Sequence, residues 1–386
     1  MSVVDVPNES AHEVAPKGIA RSEVLLLPGL ASGILFLVFG KSWLSNLANP
    51  WCALVLFGVL IAAILTSAFG VVRHADCLAI KLGEPYGTLI LTLSVIGMEV
   101  LMVSAMMLSG TPDPAMARDT MFAVVMIVLN GLLGIALLAG AWRHREQQYN
   151  LQGAVSFLAM LVPLSATGMI LPYYTSTGTP FLIKLRATAL IVTTVGLYGV
   201  FLAIQTFRHP EHFDEPAKAK LSDEAAEASE HHHFAIRSLP FHVACLILYL
   251  LPVVVLSKKL AVVLEYGADR LGAPQALSGT IVAILILCPE GVSGIRAALG
   301  NRMQRSVNLI FGSAVSTIAL TVPAVVAISL FTGVQLELGL TPVNQVLLSV
   351  TLLVSILTCA TGRTNVLNGF VHLVLFVTYM LLIFEK

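Results

Sequence analysis

Two glutamic acids carry the chemistry that this sequence can do. Glu99 lies near the middle of an apolar run at 87–110, and Glu290 lies in a second run at 276–295. An ionised carboxylate at bilayer depth costs about 2.5–3.5 kcal/mol on insertion scales, so such residues are rare and mark function. Glu99 is the only acid between Glu84 and Asp113, and Glu290 is the only acid between Asp269 and Glu337. Neither run contains a Lys or Arg at similar depth to form a structural ion pair. Away from water a carboxyl group favours its neutral form, and a second carboxylate nearby adds to that preference. Three loads neutralise two carboxylates equally: two protons, one divalent cation, or one monovalent cation with one proton. A carrier that reorients only when neutralised must therefore exchange cations for protons.

Hard cations take oxygen ligands, and hydroxyls, amides and backbone carbonyls supplement carboxylates in holding them. Thr92 and Ser94 precede Glu99 on the same run. Asn130 lies mid-span in 119–142, and Ser313, Ser316 and Thr317 lie in 306–332. The alternative for each hydroxyl is a bond to its own helix or to a neighbouring one. Pro289 removes a helix hydrogen bond beside Glu290, and Gly291 follows it. Interrupted helices are tolerated at membrane depth where backbone lines a cavity, so this triplet suits an ion site as well as an ordinary kink.

Membrane helices are expected to carry these residues. The 386 residues are 57% hydrophobic and 11% charged, against about 25% charged in an average soluble protein. Mean hydropathy is +0.87. Apolar runs of about 20 residues, enough to cross a bilayer, recur to the C-terminus. We expect an all-α polytopic membrane protein with about eleven spans: 24–40, 51–72, 87–110, 119–142, 152–173, 185–206, 238–257, 275–297, 306–332, 343–360 and 366–384. The charged stretch 258–271 is expected to form an interfacial helix. Balanced charge, 22 basic and 22 acidic residues, gives no nucleic-acid signal. The expected partners are the lipid bilayer and small inorganic cations. The sequence does not fix an oligomeric state. Five scattered cysteines have neither metal spacing nor a disulfide framework. The polar N-terminal segment 1–23 reads as a cytoplasmic tail before a retained leading span.

The longest polar stretch, 207–237, divides the chain. Five spans precede it in 51–206 and five follow it in 238–386. An odd number per half makes the second half enter the bilayer from the opposite side, the inverted-repeat plan of many secondary transporters. Residues 86–99 (YGTLILTLSVIGME) and 278–290 (SGTIVAILILCPE) support it, each opening on Gly-Thr and closing on the acid. Fourteen of the 22 Lys and Arg residues fall in segments that are inside when the N-terminus is cytoplasmic. The positive-inside rule then places the N-terminus in and the C-terminus out.

Four segments resemble the calcium/cation exchanger superfamily, in its bacterial calcium–sodium–potassium/proton antiporter branch. They are SAFGVVRHADCLAIKLGEPYGTLILTLSV (67–95), LILCPEGVSGIRAAL (285–299), NRMQRSVNLIFGSAVSTIALTVP (301–323) and TGRTNVLNGFVHL (361–373). The resemblance implies one leading helix and two inverted five-helix repeats in a bacterial inner membrane. It also implies exchange of Ca2+, Na+ or K+ for protons, without a resident cofactor. On its residues, the repeat acids map onto Glu99 and Glu290, and supporting polar positions onto Asn130, Ser313 and Ser316. Proton-coupled calcium exchangers carry Gly-Asn-Ala-x-Glu in both repeats. Here the Asn positions are Ile96 and Leu287, so two amide ligands are missing and broader cation choice is expected.

His74, Asp76 and Glu84, beside Arg73, flank the start of the first repeat and form a candidate cytoplasmic vestibule, or else anchor helix ends at the headgroups. His372, in the last span, reads as an internal histidine satisfied by its neighbours. The linker carries seven acids and five histidines and reads as solvated, with a sensor as the alternative. Enzymatic chemistry has little support: no membrane-depth Asp pair with Gly-x-Gly-Asp exists, and His372 has no nucleophile signature beside it. A cation-selective channel or uniporter using the same carboxylates is the stronger rival.

Overall fold

The computed structural model describes residues 26–83, 86–108, 114–175, 177–215 and 237–385. Among these residues the regular structure is all helix, with no strand and a single isolated β-bridge between Gln148 and Arg363. The helices are α1 Leu26–Val38, α2 Pro50–Leu82, α3 Tyr86–Met107, α4 Met116–His144, α5 Leu151–Tyr174 and α6 Phe181–Arg208. After the linker come α7 Leu239–Leu271, α8 Ala276–Leu299, α9 Met303–Thr332, α10 Pro342–Cys359 and α11 Val366–Leu382. Nine of them are long and apolar enough to cross a membrane, and α1 and α11 are shorter apolar helices. A short helix, Gly40–Leu44, follows α1. The N-terminal tail, Glu84 and most of the linker lie outside the described residues.

The two sets of five match in order, and their first and third helices match in detail. Their first helices, α2 and α7, are each 33 residues long. Each opens on a proline in its first turn, where the missing N–H has no helical partner to lose. Each closes on a glycine with positive φ, Gly83 at 64° and Gly272 at 61°, the conformation that glycine adopts most easily. The third helices, α4 and α9, are 29 and 30 residues long. Both widen to π geometry midway, at Ile127–Leu132 and Thr317–Thr321. Such widenings are uncommon and occur often at functional sites.

Contacts fix how α2 and α7 run. Gly70 lies against Tyr249, and four residues further along α2 the His74 ring meets His242. Advancing along α2 thus means retreating along α7, so the helices are antiparallel. Their interface is a buried apolar cluster including Leu60, Ile64, Val71, Tyr249, Val253 and Leu256. A Cβ on Gly70 would overlap the Tyr249 ring, itself fully buried. Overpacking of this kind costs about 1–3 kcal/mol. Gly70→Ala is therefore expected to lower the melting temperature of the detergent-solubilised protein, and Gly70→Ala with Tyr249→Leu to recover part of the loss.

The helix at 239–271 corrects one expectation. Residues 258–271 are not a separate interfacial helix but continue α7 without a break. Leu260, Ala261, Val263 and Leu264 are buried at helical spacing and belong to the apolar cluster shared with α2, and Ala268 is buried one turn further on. Lys258 and the terminal Asp269 and Arg270 stay exposed. The charges mark one stripe of a long helix. Likewise α2 runs on to Leu82, ten residues beyond the apolar run, and carries Arg73, His74 and Asp76 within it.

A second and larger cluster surrounds α4 and α9, joining Phe122, Val128, Leu133, Phe157, Phe311, Ile318 and Val325. Helix α4 packs on α8 and α11 of the other set, and α9 packs on α3 and α6. The third helix of each set is thus held by the second and fifth of the other.

Candidate functional site

The two acids come together on one helix. Glu99, on α3, is 3% exposed, and its Oε2 accepts a hydrogen bond from Thr317 Oγ1 at 3.0 Å. Glu290, on α8, is half-buried, and its Oε2 accepts from Ser313 Oγ at 2.6 Å. Ser313 and Thr317 are one turn apart on α9, separated by about 6 Å along the axis at the α-helical rise of about 1.5 Å per residue. Adjacent hydroxyls of a single helix therefore reach both carboxylates.

The site is incompletely satisfied. Glu99 Oε1 is buried without a hydrogen-bond partner, and so is Thr321 Oγ1, one turn beyond Thr317. Buried polar atoms are nearly always partnered, and each exception calls for an explanation. A carboxylate oxygen and a hydroxyl oxygen left over beside a buried acid are what a bound cation, or a proton on the acid, would use. Neither carboxylate has an ion-pair partner among the described residues.

The other residues singled out from the sequence are distributed unevenly. Ser316 donates to the Ser313 carbonyl at 3.0 Å and Ser94 to the Ile90 carbonyl at 2.6 Å, so both bond their own helices. Thr92 is half-buried on α3 and makes no hydrogen bond to either acid. Pro289 is buried inside a helix that continues through it, so the interruption expected at this triplet is absent. Departures from α geometry fall instead in α4, α5, α6 and α9, and in α9 Thr317 opens the π segment. Gly291 has a spatial reason: a Cβ there would lie 2.7 Å from Leu132 Cδ2, so glycine lets the π segment of α4 approach Glu290.

Asn130 faces elsewhere. It is fully buried, donates from Nδ2 to Thr351 Oγ1 at 2.9 Å, and meets His372 Nδ1 through Oδ1 at 3.3 Å. An amide oxygen can only accept, so His372 carries its proton on Nδ1 and accepts at Nε2 from Thr358 Oγ1, 3.0 Å away. Asn130 thus ties α4 to α10 and α11, and His372 is a satisfied internal histidine. Asn130→Ala leaves two buried partners without it, at about 1–3 kcal/mol for each group left unsatisfied. Thermal unfolding is expected to report a clear loss, and Asn130→Asp with His372 intact a smaller one.

Of the candidate vestibule residues, His74 is buried. His74 is 1% exposed, with Nδ1 2.9 Å from His242 Nδ1 and Nε2 3.0 Å from Arg73 Nη2. It sits in the α2–α7 crossing, not in an aqueous mouth, because α2 extends past the apolar run that the sequence marks. Asp76 is half-buried on the same helix, and Glu84 lies outside the described residues. Thr321 is the residue that sequence reasoning missed. Its spacing of four from Thr317 was the available signal.

Comparison with known proteins bears on this geometry. Residues 52–207 and 241–385 match the sodium/calcium exchanger protein family, one stretch for each five-helix set. The chain is 40% identical over 381 residues to the sodium-potassium/proton antiporter ChaA of Escherichia coli (strain K12), covering 97% of this chain and all of that one. It is 41% identical over 326 residues to the putative ionic transporter y4hA of Sinorhizobium fredii, covering 83% and 86%. Among solved structures it superposes on native YfkE with a TM-score of 0.71 at 19% identity, over 93% of this chain and 99% of that one.

Proposed function

Because the chain belongs to the sodium/calcium exchanger protein family, we propose that it is a cation/proton antiporter in which Glu99 and Glu290 bind the cation or protons in turn. The single observation that carries this reading is the convergence of both acids on Ser313 and Thr317 of α9. An ionised carboxylate buried as deeply as Glu99, with a second one close by, is costly when the site is empty. The pair must be loaded before it moves, either with cation or with protons. Exchange follows from that requirement, with no covalent step and no resident cofactor.

The transported ions are Na+ and K+, in line with the name of the Escherichia coli relative, with Ca2+ as a further substrate. Two carboxylates and two hydroxyls, with apolar Ile96 and Leu287 buried at the neighbouring positions, make a sparse oxygen set for Ca2+, which prefers six to eight ligands. Monovalent cations need fewer. The matched order of the two sets, the near-equal lengths of their first and third helices, and the antiparallel α2–α7 pair support an inverted repeat. Alternating access would then rock one set against the other around the shared acids. The excess of basic residues supports a cytoplasmic N-terminus in a bacterial inner membrane, with the linker on the same face.

The test is flux in proteoliposomes under an imposed proton gradient, with Na+, K+ and Ca2+ compared side by side. An antiporter drives cation uphill and shifts the lumenal pH in proportion. Movement of the cation only down its own gradient, without a pH response, would make the protein a channel.

A further inference from the structure

We propose that His209, Glu211 and His212 form a binding site for a borderline divalent metal of the Zn2+ or Ni2+ class, separate from the transport site. The three residues lie just after α6, where a 3₁₀ turn, Pro210–His212, reverses the chain. One ligand atom from each lies within 4.8 Å of the others. His209 Nδ1 is 3.0 Å from Glu211 Oε1, and His212 Nε2 is 4.0 Å from the same oxygen. The two imidazoles stack with centroids 4.9 Å apart and planes 5° from parallel. Stacked rings hold their in-plane nitrogen lone pairs in parallel planes, so a metal ligated at about 2.0–2.2 Å would draw these atoms in by turning one imidazole out of the stack.

The donor set decides the class of metal. Two imidazoles and one carboxylate suit Zn2+, Ni2+ or Co2+, whereas Ca2+ and Mg2+ take oxygen ligands almost exclusively. The site would therefore ignore hard cations of the kind that the Glu99–Glu290 pair exchanges. Three protein ligands leave a fourth position for water. All three side chains reach solvent, so metal can enter without unfolding the turn.

The backbone beneath them is fixed. The Glu211 carbonyl accepts from Asn150 Nδ2 at 3.0 Å, and the Phe213 carbonyl from Asn308 Nδ2 at 2.6 Å. Phe213 is buried edge-on against Phe157 and Phe201. Glu215 accepts from the Arg305 backbone N–H at 3.1 Å. Asn308 and Arg305 belong to the first turns of α9, five and eight residues ahead of Ser313. Metal binding would stiffen a clamp on the helix that serves both acids. The site itself does not depend on the proposed transport function, but this coupling does.

The full-length protein, freed of any affinity tag, is titrated with Zn2+ alone by calorimetry. The background variant H231A/H232A/H233A removes the competing triplet of the linker. One Zn2+ per chain is expected in that background, with Ca2+ giving no heat at the site. H209A/H212A should weaken Zn2+ by well over about tenfold, the lower end of what losing even an outer-shell partner costs. Glu211→Gln serves as a second, milder variant, and thermal melting verifies that both fold. Zn2+ uptake unchanged by H209A/H212A, or absent from the triplet-free background, would overturn the site. In vesicles, Zn2+ on the linker side should slow exchange in the parent and not in H209A/H212A. An equal response of the two overturns the coupling and leaves the binding result to stand or fall by itself.

Discussion

Glu99→Gln and Glu290→Gln are each expected to abolish proton-driven cation flux in reconstituted vesicles, by at least about 100-fold. The amide keeps the size of the side chain and can still accept a hydrogen bond, from Thr317 in one case and Ser313 in the other. It cannot take up or release a proton, and it carries no charge to balance a cation. With one acid neutral the remaining carboxylate balances a single positive charge. A divalent load, or a monovalent cation together with a proton, then has no electrostatic counterpart. A factor of 100 corresponds to about 2.7 kcal/mol, comparable with what a single membrane-depth charge is worth. Folding should survive, because neither carboxylate holds an ion pair among the described residues. The readouts are lumenal pH and isotope uptake under the same gradient, with monodispersity and melting temperature as controls. Wild-type-like transport by either variant would remove that acid from the mechanism.

The acids were legible in the sequence because a charge inside an apolar run is a one-residue signal that needs no knowledge of packing. The helices were legible for the same reason, through apolar length. What could not be read was anything that depends on rotation or on contacts across the two halves. Ser313, Ser316, Thr317 and Thr321 all lie on α9, yet Ser316 turns to its own helix and Thr317 to Glu99, 218 positions away. Adjacent helical residues point about 100° apart, and a π segment shifts the phase again. Nothing in TIALT or IVLNGL announces that shift, whereas Pro289, which does announce a break, sits in an unbroken helix. Asn130 was a reasonable ligand by type. Its amide is committed to Thr351 and His372, residues more than 200 positions later, a pairing that composition does not encode. Charges at 258–271 suggested an interface where α7 in fact continues, since hydropathy detects the bilayer and not the end of a helix.

Thr317→Val should raise the apparent KM for cation by about tenfold or more at a fixed proton gradient. The substitution preserves branching and removes the hydroxyl that donates to Glu99 Oε2, leaving the Thr321 hydroxyl, one turn further on, as the nearest replacement. Hydrogen bonds to charged groups contribute about 1.5–3 kcal/mol, and the same hydroxyl is positioned to ligate the cation. Ser313→Ala does to Glu290 what Thr317→Val does to Glu99, but Glu290 is nearer to solvent, so water can replace the lost donor and the effect should be smaller. The double variant is the more searching test. If both acids load one cation through a single turn of α9, the two changes touch one site, and their energies should depart from additivity by about 0.5–3 kcal/mol, as residues in one network do. Strict additivity would mean that each acid binds independently within its own half of the molecule. Convergence on α9 would then be a packing arrangement, and coupled loading would need another physical basis.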